Sequence, residues 1–226
     1  MPELRHQFHK ELAELEQQAL GGLDIVVEQL DRALESLSDQ DVELAGMVVA
    51  EDDRIDGRYL EVQQGVLSLL ARQAPVAGDL RVVAAVLHII RNVERMGDQC
   101  VNIAKVVPLS GYEAVKDGEI VETIDRMGQR ASSQVLQAKQ AFASRDVDLA
   151  HEVVRQDHEI NLLNREIFQR AVDVGDNPDV REWAMFMILV ARCLERIGDN
   201  AVDVAEQTVF IVTGLFREFS GAPAAS

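Results

Sequence analysis

Apolar and polar positions alternate along most of the chain with the period of an α-helix. Within residues 79–106, Leu80, Val83, Ala84, Leu87 and Ile90 follow i, i+3, i+4 spacing. Within 179–214, Phe186, Leu189, Val190, Cys193 and Ile197 do the same. Prolines punctuate the pattern. Pro2, Pro75, Pro108, Pro178 and Pro223 lie at a terminus or between periodic segments, where a ring that fixes φ and lacks an N–H starts or stops a helix. The pattern predicts six helices, at residues 4–36, 41–71, 79–106, 113–143, 147–175 and 179–214, with boundaries to about 3 residues. Asp39–Asp41 and Asp146 read as N-caps, Asp79 after Gly78 as the cap of the third helix, and Asn177 as the cap before Pro178. Helices of about 30 residues are about 45 Å long. Six of them with short links make an elongated, all-α antiparallel bundle.

The halves repeat. Glu94-Arg-Met-Gly-Asp-Gln-Cys-Val-Asn-Ile-Ala104 aligns with Glu195-Arg-Ile-Gly-Asp-Asn-Ala-Val-Asp-Val-Ala205, with six of eleven positions identical. Asp41-Val-Glu-Leu-Ala45 likewise matches Asp146-Val-Asp-Leu-Ala150. Matches in the same order along both halves predict two tandem, pseudo-symmetric three-helix bundles. They span residues 1–110 and 111–219, joined through Gly111–Gly118, with 220–226 read as a disordered tail.

Composition narrows the function. With 47% hydrophobic residues the 226-residue chain buries a core, and 4% aromatics and five prolines favour helix. A net charge of −17 argues against nucleic acid and against an anionic bilayer. It suits multivalent cations or a partner with a basic surface. No apolar run approaches the roughly 18 residues of a membrane span, and the two cysteines, Cys100 and Cys193, form no CxxC motif. The chain reads as cytoplasmic, with free, buried, inert thiols, reaching a membrane only through partners.

Each long motif carries two acids four residues apart, Glu94 with Asp98 and Glu195 with Asp199, which places them on one helical face. Asn102 extends the first line. Asp203 and Glu206 extend the second, where the first half has Lys105. The second helix of each unit offers Asp52 with Asp56, and Asp157 with Asn161. Oxygen-only donors suit hard cations. Counting charges ranks the second half as the tighter site. The competing reading is a solvated acidic face bridged by arginines. Gly97 and Gly198 sit inside the motifs, where glycine costs about 1 kcal/mol against alanine, so a close helix or a bound ion is expected there. Arg95 and Arg196 are expected to pair with neighbouring carboxylates, His88 to be semi-buried and structural, and Trp183 to lie in the core or an interface. No Gly-rich phosphate loop, Ser-His-Asp set or zinc motif is present, and no catalytic residue is assigned: the chain is not read as an enzyme.

The duplicated unit, the two ERxGD motifs and Gln73-Ala-Pro-Val-Ala-Gly-Asp-Leu-Arg81 together resemble the PhoU family of phosphate-signalling proteins over nearly the whole chain. The resemblance implies two symmetric three-helix bundles and metal at the acidic motifs, with iron, zinc, manganese or magnesium as candidates. It also implies repression of the phosphate-starvation response, by linking the ATPase subunit of a phosphate ABC transporter to a PhoR-type sensor histidine kinase. A homodimer is the expected assembly. Two other classes compete: a ferritin-like carboxylate bundle, and a helical scaffold without ions. The first needs Glu-x-x-His pairs, and only Glu3–His6 fits that spacing.

Overall fold

The computed structural model describes residues 2–111 and 116–215. Seven α-helices follow in order: α1 (Pro2–Asp39), α2 (Val42–Ala50), α3 (Asp53–Arg72), α4 (Ala77–Val106), α5 (Gly118–Ser144), α6 (Val147–Asp173) and α7 (Pro178–Thr213). A 3₁₀ turn, Val107–Leu109, follows α4. Among the described residues there is no strand, and no helix is long and apolar enough to cross a membrane. The tail 220–226 lies outside the described residues.

Five of the six predicted helices appear as single elements. The second is divided. Glu51 closes α2, its N–H bonded to Met47 O, and Asp52 stands at the N-terminus of α3. Glu51-Asp-Asp53 puts three carboxylates in succession, whereas the equivalent stretch of α6, Gln156-Asp-His158, has one and stays helical. Aspartate is a poor interior helix residue but a good first-turn one, where it meets the positive end of the helix dipole. An ion pair from Arg32 of α1 holds Glu51.

Three predicted caps form. Asp41 accepts from Leu44 N at 2.9 Å, Asp146 from Leu149 N at 2.9 Å and Asn177 from Asp179 N at 3.0 Å. Each contributes about 1 kcal/mol. Asp79 is not a cap. Val76 occupies that position, and Asp79 sits in the first turn of α4, 3.2 Å from His9 Nε2. The fourth predicted helix, α5, begins at Gly118, capped by Asp117, rather than at 113; residues 112–115 lie outside the described ones.

The two units turn alike. Gln40 and Arg145 both adopt left-handed φ, 57° and 59°, directly before the capping aspartates. Asp41 N and Asp146 N close the turns on Ser36 O and Ala141 O, both at 2.9 Å. The units share one core. The third helices, α4 and α7, pack along each other, and α1 lies against α5. Because α4 and α7 are enclosed on several sides, their buried faces are broader than the predicted stripes. Val86, Ile89, Ile90 and Val93 line the core of α4, and Trp183, Met187, Val190 and Leu194 that of α7, while Leu80 and Leu189 remain about half exposed, at 52% and 55%. Cys100 is buried, but Cys193 is only partly so. Burial pushes the Cys193 thiol up to about 11, and that of Cys100 higher still, so neither is a thiolate nucleophile.

Candidate functional site

In the first unit, α3 and α4 bring the predicted acids together. Gly97 makes this possible: a Cβ there would lie 2.8 Å from Ile55 Cδ1 and 3.4 Å from Asp52 Oδ1. Removing that atom lets α3 sit close enough for its carboxylates to face those of α4. Burial raises the Asp52 carboxyl above the ordinary range, and the charges of Asp56 and Asp98 push it further. Burial likewise raises Glu94, and Asp98 and Asp56 add to it, against the opposing pull of Arg95 and Arg91. Asp52, Asp56, Glu94 and Asp98 therefore form one mutually repelling group. Asn102 and Lys105 lie exposed further along α4, and Lys105 acts on Asp52 in the opposite sense to the acids.

The second unit has the same frame with different occupants. A Cβ on Gly198 would lie 3.0 Å from Gln134 Oε1, 3.1 Å from Asp157 Oδ1 and 3.1 Å from Ile160 Cδ1. Asn161, where the first unit has Asp56, donates to Asp157 Oδ2 at 2.6 Å. Burial raises Asp157, and Gln134 and Asn161 hold it back through hydrogen bonds. Asp199 is raised by burial and then by Asp157. Glu195 is ion-paired with Arg192.

Asp203 lies between the two units. Burial raises its carboxyl, Arg95 of α4 opposes the rise, Asp199 of its own line adds to it, and His88 of α4 opposes it. It thus faces the first unit as much as its own. His88 itself is exposed rather than semi-buried. Glu206 is half-buried one turn beyond. Of the acids on α7, Asp199 meets Asp157 of α6, Glu195 carries an ion pair, and Asp203 is shared with α4. Arg95 and Arg196 form no ion pair among the described residues, contrary to expectation.

The pattern reading missed two residues. Gln29 of α1 and Gln134 of α5 are 5% and 1% exposed and reach these sites from behind. Their signal in the sequence is a polar residue at a core position of each unit's first helix.

The donor set is entirely oxygen, which fits a hard cation. The glycines let the helices close until the carboxylates meet, and in the second unit the buried Gln134 Oε1, which has no donor, lies beside Asp157 at that contact. Among the described residues no three His, Cys, Asp or Glu side chains converge as a ready-made ion site, so carboxylates alone do not complete one. On those grounds the residues fit a metal as partial sets, with an amide or water oxygen needed in each.

The units also differ in the groove beside the acids. Between α3 and α4 it encloses about 610 Å³ and is lined by Tyr59, Gln63, His88 and Arg91 as well as Glu94 and Asp98. The corresponding groove between α6 and α7, about 450 Å³, presents Phe168, Ile188 and Leu189.

Comparison with known proteins places this geometry. The family model described as the PhoU domain matches twice, over residues 22–107 and 124–208. The phosphate-specific transport system accessory protein PhoU homolog of Clostridium acetobutylicum is 32% identical, over 93% of this chain and 96% of that one. PhoU homolog 1 of Thermotoga maritima is 32% identical, over 92% and 89%. The crystal structure of the phosphate transport system regulatory protein PhoU from Streptococcus pneumoniae superposes with a TM-score of 0.86 at 26% identity, covering 94% of this chain and 100% of that one. PhoU from Pseudomonas aeruginosa gives 0.83 at 27%, covering 92% and 100%. These relatives bear accessory and regulatory names, and the duplicated matches fall on the two structural units: the chain belongs to the PhoU family, accessory and regulatory proteins of phosphate transport.

Proposed function

We propose that this chain is a cytoplasmic negative regulator of the phosphate-starvation response. In this reading it is a non-enzymatic adaptor that couples the ATPase subunit of a phosphate ABC transporter to a PhoR-type sensor histidine kinase. It works as a homodimer and meets the membrane only through these partners. The names of its relatives support association with phosphate transport.

The acidic sites bind metal, with iron, manganese, magnesium and zinc as the candidate ions. The observation that carries this is the mutual repulsion of Asp52, Asp56, Glu94 and Asp98 across α3 and α4. A bound cation supplies positive charge that replaces this repulsion. Glu94 and Asp98 would hold it from α4, and Asp52 and Asp56 from α3. In the second unit Asp157, Glu195 and Asp199 would do so, with Asn102, Asp203 and Glu206 at the margins. The first unit is the tighter site in this reading. It has four carboxylates without an ion pair, whereas Arg192 already occupies Glu195 and Arg95 and His88 draw on Asp203.

Two experiments test the two layers. Elemental analysis of protein purified without chelators or an affinity metal should find stoichiometric metal; clean protein that also takes up none on titration rejects the metal layer. A deletion strain in rich phosphate should derepress a phosphate-starvation reporter, and unchanged expression rejects the regulatory layer.

A further inference from the structure

Gln29 and Gln134 stand 105 residues apart in equivalent places, and their surroundings repeat as well. Gln29 Nε2 donates to Val48 O at 3.3 Å, and Gln134 Nε2 donates to Val153 O at 3.1 Å. Each amide also reaches the aspartate of its own site. Gln134 Nε2 lies 3.4 Å from Asp157 Oδ1, and a hydrogen bond from Gln29 opposes the rise of Asp52. In both, Oε1 is buried and receives no donor.

The orientation of the amides is fixed by their partners. A flipped amide would set Oε1 against the carbonyl oxygen of Val48 or Val153, so Nε2 belongs there and Oε1 is the free atom. In the second unit its direction is explicit. Gln134 Oε1 and Asp157 Oδ1 lie 3.0 and 3.1 Å from the point a Gly198 Cβ would occupy. The amide and carboxylate oxygens thus border the one stretch of α7 that glycine leaves bare.

A buried oxygen without a donor destabilises the fold. Among the described residues five buried glutamine oxygens lack a donor, those of Gln29, Gln99, Gln134, Gln137 and Gln207; Gln29 and Gln134 are the two that stand at matching positions against the site aspartates, where methionine would fill the same volume without that penalty. An oxygen kept at a cost beside a cluster of carboxylates is what a cation site uses. Amide oxygens are ordinary ligands of hard cations, and a neutral one adds a donor without adding to the repulsion among the acids. It is also the donor that the carboxylates by themselves lack.

We propose that Gln29 and Gln134 are the ion-positioning residues of the two sites: each steadies the site aspartate through Nε2 and offers Oε1 to the cation. The inference rests on the cation reading above, and its test separates the two. Full-length protein freed of metal is titrated with Mn²⁺ by calorimetry, as wild type and with Gln29→Met and Gln134→Met combined. The double variant should bind Mn²⁺ at least tenfold more weakly, while the Tm of the metal-free protein stays level or rises. Wild-type affinity in the double variant overturns the inference and leaves the cation reading standing. A wild type that takes up no Mn²⁺ overturns both. If the double variant does not fold, Gln134→Met alone decides: it should weaken the second-unit Mn²⁺ site about tenfold, and wild-type affinity at both sites overturns the proposal.

Discussion

The two units share a backbone plan and differ in how much of their charge is already spent. In the first, the helix break at Glu51–Asp52 sets Asp52 at a helix start, and no cation within ion-pair reach claims any of the four site acids among the described residues. In the second, α6 runs unbroken, asparagine replaces one acid, Arg192 pairs with Glu195, and Asp203 faces Arg95 and His88 across the α4–α7 interface. Duplication preserved the frame of each site: a glycine on the third helix, an aspartate on the second and a glutamine on the first. What diverged is the electrostatic state of that frame. Counting acids along one helix ranks the second unit higher. Counting acids that lack a cationic partner ranks the first.

The strongest way to break this comparison is to remove one carboxylate from each unit. Asp98→Asn is expected to weaken the tighter Mn²⁺ site about a hundredfold, and Asp199→Asn to weaken the other about tenfold, in line with the dependence of oxygen-site affinity on ligand charge. Calorimetric titration of metal-free protein resolves the two. If Asp199→Asn abolishes the tighter site, the ranking by unpaired charge is wrong.

The glycines give a second, smaller contrast. Alanine gains about 1 kcal/mol of helix propensity over glycine, while overpacking a core costs about 1–3 kcal/mol. At Gly97 the closest atom, Ile55 Cδ1 at 2.8 Å, is the free end of a side chain, with Ile55 Cγ2 at 3.2 Å and Asp52 Oδ1 at 3.4 Å behind it. Ile55 Cδ1 yields, and Gly97→Ala should be within about 1 kcal/mol of wild type. At Gly198 three atoms crowd the new methyl, among them the amide oxygen of the buried Gln134 and the restrained carboxylate of Asp157. Gly198→Ala should lose about 1–2 kcal/mol, net of propensity, by urea denaturation. Equal effects would mean the two cradles are packed alike.

Much of the fold was legible in the sequence because its signals are local. The caps at Asp41, Asp146 and Asn177 depend on a side chain and the backbone two or three residues on. The repeat and the ERxGD motifs pointed to the family directly. What escaped depends on neighbours across space. Spacing places Asp203 on the same face of α7 as Asp199, but not the fact that α4 brings Arg95 and His88 opposite. The predicted stripes supply Val83, Ile90, Val190 and Ile197 to the core, yet α4 and α7 are packed on so many sides that burial spreads well beyond the stripes and leaves Leu80 and Leu189 about half exposed. Gln29 and Gln134 were not singled out in the sequence, because the carbonyl that each amide bonds comes from the second helix of its unit. The break at Asp52 lay within reach of sequence: three successive carboxylates mark it, although the four-residue spacing of Asp52 and Asp56 suggests a continuous helix.

The smallest expected effect is also the one whose sign differs between the units. Glu94 has a folded-state carboxyl raised by burial and then by Asp98 and Asp56. A raised carboxyl binds its proton more tightly folded than unfolded. It therefore favours the fold most below the unfolded value of 4.5, and that contribution is lost as pH rises through the higher folded value. At pH 7 the ionised Glu94 opposes folding, so Glu94→Gln should raise the Tm of metal-free protein slightly. The gain should shrink to nothing as pH falls toward 4, where the wild-type group is protonated as well. Glu195 instead carries an ion pair with Arg192, its own side chain only 13% exposed, so neutralising it leaves the arginine without its partner. Glu195→Gln should then leave the Tm level or lower it. Saturating Mn²⁺ should reverse the first result, since the ion stabilises the wild type by RT ln(1 + [Mn²⁺]/Kd) and the variant by less. Thermal melts at pH 7 and pH 4, with and without Mn²⁺, read all of these. A fall in Tm for Glu94→Gln without metal at pH 7 would mean that Arg91 and Arg95 already satisfy the first unit, leaving no difference in unspent charge between the two.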